Sequence, residues 1–151
     1  PKKIFTLFKG FKPLPHRNQL ISTIKGVRFI NDSKSTNVAS AEYALELYNN
    51  IHWIAGGQPK DDNFSGISKK QSNIKKAYLI GEAGSLIKSV LDRTDSEVFF
   101  NLEDAFKKVI ENIEDEDTVL FSPACASFDQ YLNFEARGQH FIDLTNQFKK
   151  S

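Results

Sequence analysis

Three short segments carry most of the residues able to do chemistry. The first, "NDSKSTN" at residues 31–37, puts a carboxylate (Asp32), an ammonium (Lys34) and a hydroxyl (Thr36) just ahead of a helical pattern. Free backbone N–H groups at a helix start favour anions. Asp32 there can orient a ribose hydroxyl or a metal-bound water, and Lys34 can meet a phosphate. A helix cap in a solvated turn is the plainer reading of the same residues. The second segment, "GGQPK" at 56–60, offers two glycines for close backbone approach, a turn fixed by Pro59, and Lys60 as a point charge suited to a carboxylate. The third, "SPACASFDQYLNFEARG" at 122–138, begins with small residues (Ala124, Cys125, Ala126, Ser127) that shape a tight turn. Its N–H groups can cradle a carboxylate, with Phe128 and Phe134 as apolar walls. Upstream, "PHR" at 15–17 supplies His16 for stacking or hydrogen bonding and Arg17 as a phosphate clamp, unless it is simply a basic linker.

Each of the three segments follows an apolar, β-rich run. "QLISTIKG" and "VRFIN" flank Lys25-Gly26 and predict an antiparallel hairpin. "IHWIAGG", "KAYLIG", "EVFFN" and "DTVLFSP" predict four further strands. Helical faces lie between them: Val38, Ala41, Leu45 and Tyr48; a weaker helix around 65–72; Leu86, Ile87, Val90 and Leu91; and Leu102, Ala105, Phe106, Val109, Ile110 and Ile113, with Asn101 as N-cap. Phe134, Phe141, Leu144 and Phe148 predict a long closing helix. Alternation of this kind predicts an α/β fold, with a mostly parallel sheet of about six strands, one N-terminal antiparallel strand and helices on both faces. Ligands of such sheets bind beyond the carboxyl ends of the strands, where all three segments fall.

Composition sets the remaining bounds. The 151 residues suffice for one domain that buries roughly 70% of its unfolded surface. Twenty basic against 19 acidic residues leave a net charge of +1, with no field to gather nucleic acid or an anionic membrane. The single cysteine, Cys125, fits a reducing compartment, and its small neighbours and lack of a paired His favour inert packing. No apolar run approaches the ~20 residues of a membrane span, so a cytoplasmic location is expected. The absence of methionine and the start at Pro1 suggest an excised piece. Phe5, Phe8 and Phe11 followed by "KPLP" predict that residues 1–15 are the tail of a preceding domain and a linker, and that 16–151 form the domain itself. No P-loop, dinucleotide fingerprint, metalloprotease or hydrolase motif is present. Nucleotide chemistry would therefore have to borrow a site from elsewhere.

"LPHR", "INDSKSTN", "GGQPK" and "SPACASFDQYLNFEARG", in this order, resemble the C-terminal domain of the D-glutamate-adding Mur ligases from about Leu14 to the end. The "DNPR" of the diamino-acid-adding sister family is absent. The resemblance implies the closing, Rossmann-like domain of a three-domain, ATP-dependent, ADP-forming ligase. That ligase phosphorylates the carboxylate of UDP-N-acetylmuramoyl-L-alanine and joins D-glutamate to it in peptidoglycan synthesis. It further implies that Thr36, Lys60, Ser127, Phe128 and Phe134 form the D-glutamate pocket, and that His16, Arg17, Asp32 and Lys34 form the nucleotide side. No residue of this domain is implied as a catalyst or a metal ligand. Magnesium would be held mainly by the central domain, and the partners would be ATP, the two substrates and the other two domains of a monomer. A stand-alone small-molecule-binding or regulatory domain without catalysis is the alternative.

Overall fold

Lys25 and Gly26 turn the chain with positive φ at both positions (53° and 78°), the geometry that matches the twist of a two-residue hairpin. In the computed structural model, which describes residues 14–60 and 63–151, this turn joins β1 (Gln19–Ile24) to β2 (Val27–Asn31) as an antiparallel pair. The strands β3 (Ile51–Gly56), β4 (Ile74–Ile80), β5 (Ser96–Phe99) and β6 (Thr118–Phe121) complete the sheet in the order β1-β2-β6-β3-β4-β5, and every pairing after the hairpin is parallel. The expected tail lies, through residue 13, outside the described residues. Leu14 and Pro15 are exposed.

Neighbouring strand residues point to opposite faces, so each central strand feeds two cores. On one face Trp53, Ala55, Leu79 and Leu120 meet α1 (Val38–Leu47), a 3-10 helix (Ser65–Asn73) and α2 (Gly84–Val90) through Ala41, Leu45, Ile67 and Ile87. On the other, Phe29, Ile54, Tyr78 and Phe121 meet α3 (Leu102–Asn112) and α4 (Phe134–Lys150) through Phe106, Val109 and Phe141. Asn37, Asn101 and Asn133 cap α1, α3 and α4, each side-chain oxygen accepting a backbone N–H three residues on. No helix among the described residues is long and apolar enough to cross a membrane.

Three local expectations change. The weak helix at 65–72 is 3-10, held by the buried Gln71 side chain, which donates to Ser68 O and Asp92 and accepts from Arg93 N and Thr94 Oγ1. Leu86 is exposed rather than inward-facing, because the short α2 buries Ile87 and the chain then turns to bury Leu91. Finally, β5 is an edge strand with Val98 exposed, not a strand buried on both faces.

At the amino ends of β3, β4 and β6 a buried polar network closes on itself. His52 Nδ1 bonds Tyr78 Oη at 2.8 Å, and Nε2 bonds Asp117 Oδ2 at 2.8 Å. Asp117 also accepts from Lys75 Nζ and Glu114 N, while Tyr78 Oη accepts from Asn112. Burial lowers the His52 pKa despite the adjacent carboxylate, so the ring is neutral at pH 7.

Candidate functional site

The opposite, carboxyl edge is built from the loops after β2, β3 and β6, and backbone bonds sew these together. Asp32 N donates to Phe121 O (2.8 Å), Gly56 N to Pro123 O (2.9 Å), and Gln58 and Ala126 exchange a pair of bonds at 2.9 and 2.8 Å. The last pair extends the pairing of β3 with β6 and carries Lys60 and Ser127 to the same place. Gly57 makes it possible: its φ is 133°, and a β-carbon there would collide with Ala126 O. Ala124, at φ 63°, bends the chain sharply away from β6, a left-handed conformation that L-residues adopt at a cost of about 1 kcal/mol. Small residues in "SPACAS" suit this bend.

Two of the clefts on this edge take in the expected site residues. One, of about 330 Å³, is lined by Thr36, Lys60, Ser127, Phe128 and Phe134, with Ala126, Asn133 and Glu135. All five residues expected to hold the amino acid therefore share one wall-to-wall space. Lys60 Nζ donates to Thr36 Oγ1 at 3.2 Å, and Phe128 is 69% exposed at the mouth. The second cleft, of about 410 Å³, is lined by Arg17, Asn18, Asp32, Lys34, Ser35, Ala39, Ser40 and Tyr43. Three of the four expected nucleotide residues are in it. Lys34 stands between the clefts with its ammonium 4.7 Å from the centre of the Phe134 ring.

His16, the fourth, does not line either cleft. Its Nδ1 bonds Asn31 Nδ2 at 2.9 Å, its ring meets the edge of Phe134, and its carbonyl accepts Lys34 N at 2.9 Å. It braces the floor of the loop from behind. Partial burial lowers its pKa, against the pull of Glu135.

Asp32 is 3% exposed, and burial raises its pKa to about 6 even though Ser122 Oγ (2.8 Å) and Asn18 N (3.0 Å) donate to it and Arg17 is near. Its two oxygens are thus each fixed by one donor, with lone pairs left toward the cleft. Ser35 Oγ, in the same cleft, is buried without a hydrogen-bond partner. Cys125 is fully buried in the apolar cluster beneath the turn, where its packing is that of a small hydrophobe. Among the described residues no group of three or more His, Cys, Asp or Glu is gathered in one place.

Two further buried residues at this edge carry no motif of their own. Ser35 sits inside the polar stretch but gave no sign of being an orphaned donor, since its burial depends on the fold. Arg137, within "EARG", lies buried behind both clefts with bonds to Ser33 and Cys125 O.

The family described as Mur ligase, glutamate ligase domain, matches residues 16–125, more than half of the chain. The chain belongs to this family. Within it, the chain is 47% identical over 140 residues to the UDP-N-acetylmuramoylalanine-D-glutamate ligase of Wolbachia pipientis, covering 90% of this chain and 28% of that protein. It is 43% identical over 142 residues to the ligase of the same name from Dinoroseobacter shibae, covering 94% and 31%. The chain thus spans less than a third of the length of these relatives. Solved structures share the fold: the bifunctional folylpolyglutamate synthase/dihydrofolate synthase of Yersinia pestis (TM-score 0.64, 16% identity, 88% of this chain and 32% of that one) and the murein peptide ligase of Psychrobacter arcticus (TM-score 0.59, 10% identity, 91% and 32%). The Mur ligase family match ends at Cys125, whereas the two relatives align over nearly the whole chain.

Proposed function

We propose that this chain is the amino-acid-binding, closing domain of an ATP-dependent, ADP-forming ligase that joins D-glutamate to UDP-N-acetylmuramoyl-L-alanine. One observation carries the reading. Thr36, Lys60, Ser127, Phe128 and Phe134 come from three separate loops and a helix start, yet line one cleft next to another that holds Arg17, Asp32 and Lys34. A cation, hydroxyls and an aromatic wall are what a dicarboxylic amino acid requires: Lys60 pairs with one carboxylate, Ser127 and the surrounding backbone fix the other, and Phe134 covers the methylenes. Lys34 and Arg17 face phosphate oxygens, and Asp32 accepts from a ribose hydroxyl.

In the reaction, the alanyl carboxylate of the nucleotide-sugar substrate attacks the γ-phosphorus of ATP, giving an acyl phosphate and ADP. The amine of D-glutamate then attacks the acyl carbon; the amide forms, phosphate leaves with the C–O bonding pair, and the amine loses a proton. This domain's share is positioning: it delivers the amine to the acyl carbon and excludes water on closure. Magnesium, when bound, offsets phosphate charge, and its ligands belong to the central domain. The N-terminal and central domains of the same chain supply the nucleotide-sugar site and the P-loop, so the isolated domain is inactive. The complete ligase works as a cytoplasmic monomer. Curated relatives at 47% and 43% identity favour this reading over a stand-alone binding domain.

The test is phosphate release by the complete ligase supplied with ATP, magnesium and UDP-N-acetylmuramoyl-L-alanine. Release should depend on D-glutamate and not on L-glutamate. Equal stimulation by both enantiomers, or by neither, overturns the assignment.

A further inference from the structure

The proposed reaction gives Arg137 no part, yet this arginine is only 1% exposed at the centre of the carboxyl edge. Its fork donates three bonds, all to neutral oxygens: Nε to Ser33 Oγ (3.0 Å), Nη2 to Ser33 O (2.7 Å) and Nη1 to Cys125 O (2.9 Å). Ser33 Oγ in turn donates to Phe134 O at 2.7 Å. Gly57 lies against Nη1, where a β-carbon would come to 3.3 Å. One guanidinium, carried on the first turn of α4, therefore bonds the loops after β2 and β6, stands beside Gly57 in the loop after β3 and, through Ser33 Oγ, ties Phe134 of its own helix to the loop after β2. These are the four segments that bring Thr36, Lys60, Ser127 and Phe134 to the amino-acid cleft.

We propose that Arg137 is a positioning residue that sets the width and register of this cleft by tying its walls to one rigid, planar fork. A lysine in its place keeps a charge but not the fixed angles among the three bonds. The nucleotide side has fastenings of its own: Asp32 is held by Ser122, Asn18 and Phe121 O, and Lys34 N by His16 O. Ser33 lies between Asp32 and Lys34, but those fastenings hold both neighbours, so loosening Arg137 falls on D-glutamate more than on ATP. A mere scaffold residue would affect both alike.

The inference rests on the D-glutamate reading above, and steady-state kinetics of the complete ligase separate the two. In Arg137→Lys the KM for D-glutamate should rise roughly tenfold, with the KM for ATP within about twofold of wild type. Ser33→Ala, a milder change that removes the oxygen joining Arg137 to Phe134, should move the D-glutamate KM the same way by roughly threefold. If Arg137→Lys does not fold, Ser33→Ala decides. An unchanged D-glutamate KM in the variant assayed, or an equal rise in both KM values, overturns the positioning role. A wild-type enzyme indifferent to D-glutamate would instead sink the functional reading.

Discussion

The two ends of the sheet use the same kinds of residue in opposite ways. At the amino end His52, Tyr78, Asp117, Lys75 and Asn112 satisfy one another, with both ring nitrogens and both carboxylate oxygens engaged inside the protein. At the carboxyl edge the polar groups are left with capacity. Among the described residues Lys60 has one neutral partner, Lys34 lies over a ring, and Ser35 Oγ has no partner. A buried polar group costs free energy unless it is bonded, so a closed network reads as structure. Groups held in place but not satisfied read as a surface waiting for a ligand.

Asp117 gives the largest expected effect. Asp117→Ala removes the acceptor of His52 Nε2, Lys75 Nζ and Glu114 N at once. Breaking such a buried cluster should cost about 3–5 kcal/mol of stability, measurable by urea unfolding. A loss below about 1 kcal/mol would mean the network is not holding the amino end together. The network also sets a pH trend: His52 has a lowered pKa in the fold, so its contribution is present above the ordinary histidine range. It is lost as pH falls and the unfolded chain takes up the proton.

Asp32 should show the reverse trend. Its pKa rises from the usual 3.8 to about 6 on burial, so between these values the folded protein binds more proton than the unfolded chain. Stability from this group therefore falls as pH rises through that window, by roughly 2–3 kcal/mol. Asn at position 32 can still accept from Asn18 N and can donate to Ser122 Oγ, so the shape is kept without the charge. Asp32→Asn should gain stability relative to wild type between about pH 4 and pH 7 while ATP binding weakens. A stability difference that does not change with pH would show that the carboxylate is not strained by burial.

Much of this was legible in the sequence, and the reasons are local. The three polar loops stand out because each interrupts an apolar run, and parallel topology then forces them to one edge. The network and the brace were not legible, because their partners are far apart: His52 and Asp117 by 65 residues, Arg137 and Ser33 by 104. Two of the three Arg137 bonds go to backbone carbonyls, which carry no residue signature. Strand order was hidden for a similar reason, since nothing within "EVFFN" says that β5 has a neighbour on one side only. The bond of His16 to Asn31 was hidden too, since it depends on a φ of 66° at His16 and joins residues 15 apart.

Lys60 probes the carboxyl edge alone. It is exposed and among the described residues bonds Thr36 alone, so Lys60→Ala should leave the melting temperature nearly unchanged. In the complete ligase the same substitution should raise the KM for D-glutamate by roughly tenfold, the value of one charge-assisted bond, while ATP kinetics stay near wild type. An unchanged D-glutamate KM would remove Lys60 from the pocket and weaken the contrast between the two ends.

Cys125 gives the smallest expected effect and the finest cut. It lies on the carboxyl edge, yet its thiol is buried in the core cluster while its carbonyl accepts from Arg137. Cys125→Ser alters the side chain and leaves the carbonyl where it was. The added hydroxyl is more polar than the thiol in an apolar setting, so a loss of about 1 kcal/mol in stability is expected, with the D-glutamate KM within about twofold of wild type. Loss of activity without unfolding would mean that the thiol itself takes part, and position along the sheet would then matter more than satisfaction. If activity survives, membership of the site is decided by which polar groups are left unpaired, and Cys125 belongs with the amino-end network as part of the fold.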